Sequence, residues 1–151
     1  MERKIQKQFI DHGCGFPVVL INVPMIKIRG EWIPDIDYNI LEKSILIDLC
    51  HKTFKLTGNE IRFIRIYFEM TLQAFAKRFG VQHPTVIKWE NFKDIPTNMS
   101  VGTEKDIRLF VIKELMGPKF IGPLYTELEA TPFDATGQKS PLQLDIEKLA
   151  S

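Results

Sequence analysis

The stretch Thr57–Phe92, TGNEIRFIRIYFEMTLQAFAKRFGVQHPTVIKWENF, decides how this chain folds. It reads as three short helices separated by tight breaks. Thr57 and Glu60 have capping-box spacing, so each side chain can satisfy an unpaired backbone N–H at a helix start. Ile61, Ile64 and Phe68 recur at helical spacing behind that cap. Thr71 reads as a second N-cap, and Leu72, Phe75, Ala76 and Phe79 form the apolar stripe of the helix it opens. Gly80 can take the left-handed conformation that ends a helix. Pro84 fits the third helix only in its first turn, where no N–H is needed.

Two amphipathic helices joined by about three residues, with a Gly at the break, make a helix-turn-helix arrangement. The second helix of such a pair lies in the DNA major groove. Its outward positions here are Gln82, His83, Thr85 and Lys88, while Val86 and Trp89 point back to the core. None of the four is acidic, and each can donate a hydrogen bond to a base edge or a phosphate. Periodicity alone leaves a generic three-helix bundle with a polar outer face equally open.

The residues go further than periodicity. TLQAFAKRFGVQHPTVIKWEN resembles the lambda-repressor-like (Cro/cI, or XRE) helix-turn-helix regulators. The resemblance rests on Ala76, Gly80-Val81, Thr85-Val86 and Trp89-Glu90, with Ile61-Arg62 and Arg65 in the preceding helix. It implies a mainly α fold, a repressor-like helical bundle, and an ion pair between Arg65 and Glu90. It also implies DNA contacts from Thr71, Gln73, Gln82, His83, Thr85 and Lys88, with Asn91, Lys93 and Asn98 near the phosphate backbone. One departure stands out. The family often has Gln directly after the Ser or Thr that opens the first motif helix. Here Leu72 follows Thr71 and the Gln comes at 73, a slip that turns the side chain by ~100°.

The chain has 151 residues and a net charge of +1, enough for one domain with an appendage. Lys52, Lys55, Arg62, Arg65, Lys77, Arg78, Lys88 and Lys93 fall in or beside the motif, a local basic bias that suits phosphate neutralisation. No apolar run approaches the ~20 residues of a membrane span. MERKIQKQF has no apolar core behind it, so a cytoplasmic protein without a signal peptide is expected. The two cysteines make no disulfide framework. His12, Cys14, Cys50 and His51 lack the tight pairs of a small zinc site, so no metal is expected and the cysteines read as buried and structural. No phosphate-cradling glycine loop, GxSxG or HExxH is present, so neither an enzyme nor a cofactor is expected.

Outside the motif, three regions are expected: a β-rich appendage over 1–35, the helical DNA-binding domain over 36–116, and an irregular tail over 117–151. Phe16–Val23 reads as a buried strand interrupted at Pro24, and Met25–Arg29 as a half-buried strand. Gly30 turns the chain towards a third short strand at Trp32-Ile33. So small a ribbon must pack on helices or pair with a partner's strands. Dimerisation by strand addition and docking of another protein both fit it. Asp37 caps a helix with Leu41, Ile45 and Leu49 on one stripe, and Thr103 with Asp106 repeats the capping pattern after a loop over 93–102. Ile107, Phe110, Val111 and Leu115 face inward from that helix, and Gly117-Pro118 ends it.

GFPVVL, RGEW and LTGNEIRFIR ahead of the motif also look like bacterial antitoxins of the MqsA and HigA type, though the paired N-terminal cysteines of the MqsA type are missing. The expectation is therefore a DNA-binding homodimeric repressor acting on a double-stranded operator, the antitoxin and autoregulator of a type II toxin–antitoxin pair. Two alternatives stay open: a phage-type or metabolic XRE regulator without a toxin, and a protein-interaction module that has lost DNA binding.

Overall fold

The computed structural model describes residues 1–131, 133 and 141–149. The chain divides into two compact units, 1–45 with 139–151, and 46–138.

The first unit is built on a sheet. Strand β1 (Arg3–Asp11) pairs antiparallel with β2 (Val18–Ile28), Phe9 lying opposite Leu20. Arg29 and Gly30, both at positive φ, make the two-residue turn into β3 (Glu31–Pro34), whose handedness matches the strand twist. Strand β4 (Leu142–Asp145) adds parallel to β2. Since β1 occupies one edge of β2, β4 and β3 share the other, opposite Val18–Ile21 and Met25–Ile28. Pro24 lies in the gap between them. Its carbonyl accepts from the Asp35 N–H at 2.8 Å, so its missing N–H points to a side where no strand asks for one. Asn22, at φ 55°, shifts the pleat by one residue: Val18 and Leu20 are buried before it, Val23 and Met25 after it. Its side-chain amide donates to Asp145 at the end of β4.

The expectation of a mainly α chain with a small ribbon and an irregular tail is thus wrong. The chain is an α/β fold with a four-stranded mixed sheet. Pro24 does not interrupt the strand, because the hydrogen bond it cannot make is not required at that position. The segment after Gly117 is not irregular throughout, since it holds a helix and β4. Leu142 and Leu144 alternate inward, and four residues are too few to stand out as a strand before β2 is there to pair with.

Helix α1 (Tyr38–His51) starts at Asp37, whose carboxylate accepts from the Asn39 N–H at 2.9 Å. Leu41, Ile45 and Leu49 are all buried. In the second unit, α2 (Gly58–Tyr67) opens on the Thr57–Glu60 capping box, and α3 (Leu72–Arg78) on Thr71, which accepts from the Ala74 N–H. Helix α4 spans His83–Glu90 with Pro84 in its first turn. Helix α5 (Val101–Met116) begins earlier than the Thr103–Asp106 spacing suggests. Ser100 is the cap, and Thr103 supplies the N–H that Ser100 accepts. Gly117 ends α5 at φ 102°, and α6 (Ile121–Ala130) follows. Phe75, Phe79, Phe110 and Phe68 form a run of tilted and edge-on rings with centroids 4.7–5.5 Å apart. No helix among the described residues is long and apolar enough to cross a membrane.

Helix α5 also buries a charge pair. Arg108 and Glu104 are 1% and 0% exposed and joined at 3.1 Å. The Arg108 guanidinium also donates to the carbonyls of Cys50, Lys52 and Phe54, and lies 4.3 Å from the Phe133 ring centre. Glu104 accepts from the Leu56 N–H. Together they satisfy the backbone of the turn between α1 and α2. Burial pushes the Glu104 carboxyl up and the Arg108 guanidinium down, and each group's charge opposes the shift in the other. In sequence, Glu104 and Arg108 look like an ordinary surface pair four residues apart. Arg108→Met leaves Glu104 buried without its countercharge and is expected to cost about 3–5 kcal/mol in urea unfolding. A loss below ~1 kcal/mol would place the pair in water.

Gly58 is required by a close approach. A Cβ there would sit 2.5 Å from the Trp89 carbonyl oxygen and 2.5 Å from the Lys93 nitrogen, both backbone atoms. The Gly58 and Asn59 N–H groups donate to the carbonyls of Ile95 and Lys93. Gly58→Ala is therefore expected to destabilise the chain by roughly 1–3 kcal/mol or more. An unchanged urea midpoint would contradict this packing.

Candidate nucleic-acid interface

The backbone between α2 and α3 turns through Glu69, at φ 54°. Arg65, near the end of α2, holds that turn and α4 together. Its Nε donates to Glu90 Oε2 at 2.6 Å and its Nη2 to Glu90 Oε1 at 3.0 Å. Its Nη1 donates to the Met70 carbonyl at 3.0 Å. Both side chains are largely out of water, at 14% and 11% exposure. A bidentate guanidinium–carboxylate pair fixes orientation as well as distance, so the end of α4 is set relative to α2.

The turn from α3 to α4 runs through Gly80 at φ 72°, and the Val81 N–H donates back to the Ala76 carbonyl at 3.0 Å. Gln82 is extended and precedes the first turn of α4. Val86 and Trp89, 0% and 3% exposed, anchor the inner side of the helix. Gln82, His83 and Lys88 are exposed, and Thr85 is half-buried. The arrangement therefore leaves polar donors outward on a helix that is pinned from behind.

Of the other candidate contacts, Thr71, Gln73, Asn91, Lys93 and Asn98 are all exposed. Thr71 already spends its oxygen on the α3 cap but keeps its O–H to donate. Lys93 sits at φ 54°, in the turn that seats Gly58.

The local basic bias is thinner than composition suggests. Lys52 is paired with Glu60 at 2.6 Å, Arg65 with Glu90, and Arg78 with Asp106 while stacking on Phe79 and Phe110. Arg62 is 60% exposed and lies 3.9 Å from Glu90. Lys77, Lys88 and Lys93 are exposed and form no ion pair among the described residues. Five of the eight cations, Arg62, Lys77, Arg78, Lys88 and Lys93, are exposed around the motif, and Arg62 and Arg78 are ion-paired.

One outward residue escaped the sequence reading. Ile87, on α4 beside Lys88, is 38% exposed. The signal was there: with Val86 and Trp89 inward, position 87 falls ~100° away from 86. An apolar side chain there can meet a thymine methyl in the major groove.

Among the described residues, no three His, Cys, Asp or Glu side chains gather as a metal site. Burial pushes both the Cys14 and Cys50 thiols up to about 12. The reactive form of a thiol is the thiolate, so neither cysteine should alkylate with iodoacetamide at pH 8 in the native chain, and both should after denaturation. Rapid native labelling at Cys50 would contradict its burial. No protein-family model, curated protein or solved structure matches the chain.

Proposed function

We propose that the chain is a sequence-specific DNA-binding transcriptional repressor that works as a homodimer, with α4 in the major groove. The observation that carries this reading is the outward set Gln82, His83 and Lys88 on a helix whose inner residues, Val86 and Trp89, are buried. Lys88 can donate to guanine O6 and N7, Gln82 can pair with adenine, and Thr71 and Lys93 can meet phosphates. One helix reads a half-site of about four base pairs, so two copies on half-sites ~34 Å apart would read a palindrome. With three exposed, unpaired cations near the motif, Lys77, Lys88 and Lys93, the salt dependence should be modest for a DNA-binding protein, because its slope follows the number of phosphates neutralised.

The finer part of the proposal is an antitoxin role, which rests on the sequence resemblance alone. Co-purification with the product of an adjacent small reading frame would support it. A chain that represses its operator with no such neighbour would be a stand-alone regulator.

The test of the DNA reading is selection from a random duplex library, followed by anisotropy titration of the enriched sequence. Lys88→Ala should weaken binding by roughly 1–3 kcal/mol, with the loss traceable to one base pair. No enrichment, or a Lys88→Ala chain that binds as tightly, would overturn the assignment.

A further inference from the structure

Helix α4 carries one outward residue that no local rule asks for. Taking Val86 and Trp89 as the buried direction, Ile87 and Lys88 each leave the helix about 130° from it, on either side of the outermost line. Thr85 leaves at about 70° and is half-buried, as that angle requires. Pro84 and Asn91 stand on the outermost line itself, and both are exposed. Pro84 is explained by the helix start, where its missing N–H costs nothing. Ile87 has no such explanation. It is 38% exposed, while Val86 beside it is fully buried. A β-branched residue is a poorer helix former than Lys, Gln or Glu, and an exposed position gains nothing from its methyl groups. Single apolar residues on a surface are ordinary, and Ile66 and Ile95 are more exposed still. What sets Ile87 apart is its company: His83 one turn before it, Asn91 one turn after it and Lys88 beside it, all exposed.

We propose that Ile87 selects thymine in the half-site by packing on its C5 methyl group. The inference rests on the reading of α4 as the DNA-contacting helix and adds the base that one position of the site requires. In the major groove the C5 methyl is what thymine presents and the other bases lack. An isoleucine side chain has no donor or acceptor, so it cannot read the N7, O6 or N4 groups. A cytosine N4–H facing it would lose water without gaining a partner, which counts against cytosine as well as for thymine. Lys88 has the complementary task. Its ammonium has donors only, and it leaves the helix about 100° from Ile87, so the two side chains address different base edges. A methyl contact touches no phosphate and releases no counterion, so its contribution should not vary with salt.

The test is anisotropy titration of the selected duplex with each thymine replaced in turn by deoxyuridine, which removes the C5 methyl and leaves the pairing edge unchanged. The expected result is one thymine per half-site whose replacement weakens binding about fourfold, the effect of one buried methyl group, at low and high salt alike. Ile87→Ala should bind the two duplexes equally, Ile87→Val should keep most of the difference, and Ile66→Ala, on α2, should keep all of it. Circular dichroism reports whether each variant is folded. No uracil-sensitive thymine, or a sensitivity that survives Ile87→Ala, would overturn the assignment and leave the DNA reading standing, because the selected duplex still binds. A duplex that binds more tightly with 5-methylcytosine in place of that thymine would move the site to methylated DNA and overturn the choice of base. A random library that yields no enriched duplex would remove both readings.

Discussion

One guanidinium sets the geometry of the candidate site. Arg65 bonds both oxygens of Glu90 and the Met70 carbonyl, so the end of α2, the turn before α3 and the end of α4 move together or not at all. Gly58 completes the constraint at the other end of α2, where only a missing Cβ lets the backbone rest on Trp89, Glu90 and Lys93. Val86 and Trp89 then need only fill space. This matters for recognition because a reading helix is useful in proportion to how little it moves. Contacts made by pre-fixed side chains lose less ordering entropy on binding.

A second polar constraint lies deeper. Arg108 and Glu104 satisfy the carbonyls of Cys50, Lys52 and Phe54 and the Leu56 N–H, in the turn between α1 and α2. Buried charge of this kind is weak evidence for stability, and Glu104 Oε2 and Arg108 Nε are buried with no hydrogen-bond partner among the described residues. Thr57 and Glu60 start α2 immediately after this turn, and the Glu60 carboxylate also takes Lys52. The direction in which α2 leaves the turn is therefore fixed before Arg65 is reached.

The local signals of the helices were legible in the sequence. The caps at Thr57 and Thr71, the left-handed Gly80, and the inward pair Val86 and Trp89 each follow from chemistry within a few residues. The sheet was legible only in part: β2, the turn at Gly30 and β3 were read, but β1, β4 and the continuity of β2 through Pro24 were not, and the reason is range. Pro24 is harmless only because β3 and β4 leave a gap beside it, and β4 comes from more than a hundred residues away. No local rule announces such a gap. The same holds for Arg108, whose partners on the α1–α2 turn make it a core residue while its spacing marks it as a surface one. The basic bias around the motif failed differently. Counting lysines and arginines cannot tell which are already spent on Glu60, Glu90 and Asp106.

The central claim is that α4 offers its outward side chains to DNA from a rigid seat. The most direct measurement is the change in amide and side-chain NMR signals of the full chain as a selected duplex is added. The account predicts that the perturbed signals cluster on Gln82, His83, Thr85, Ile87 and Lys88, with Thr71 and Lys93 at the margin and the buried Arg65–Glu90 pair intact. Perturbations centred on the sheet, or a duplex that leaves the α4 signals unmoved, would contradict it.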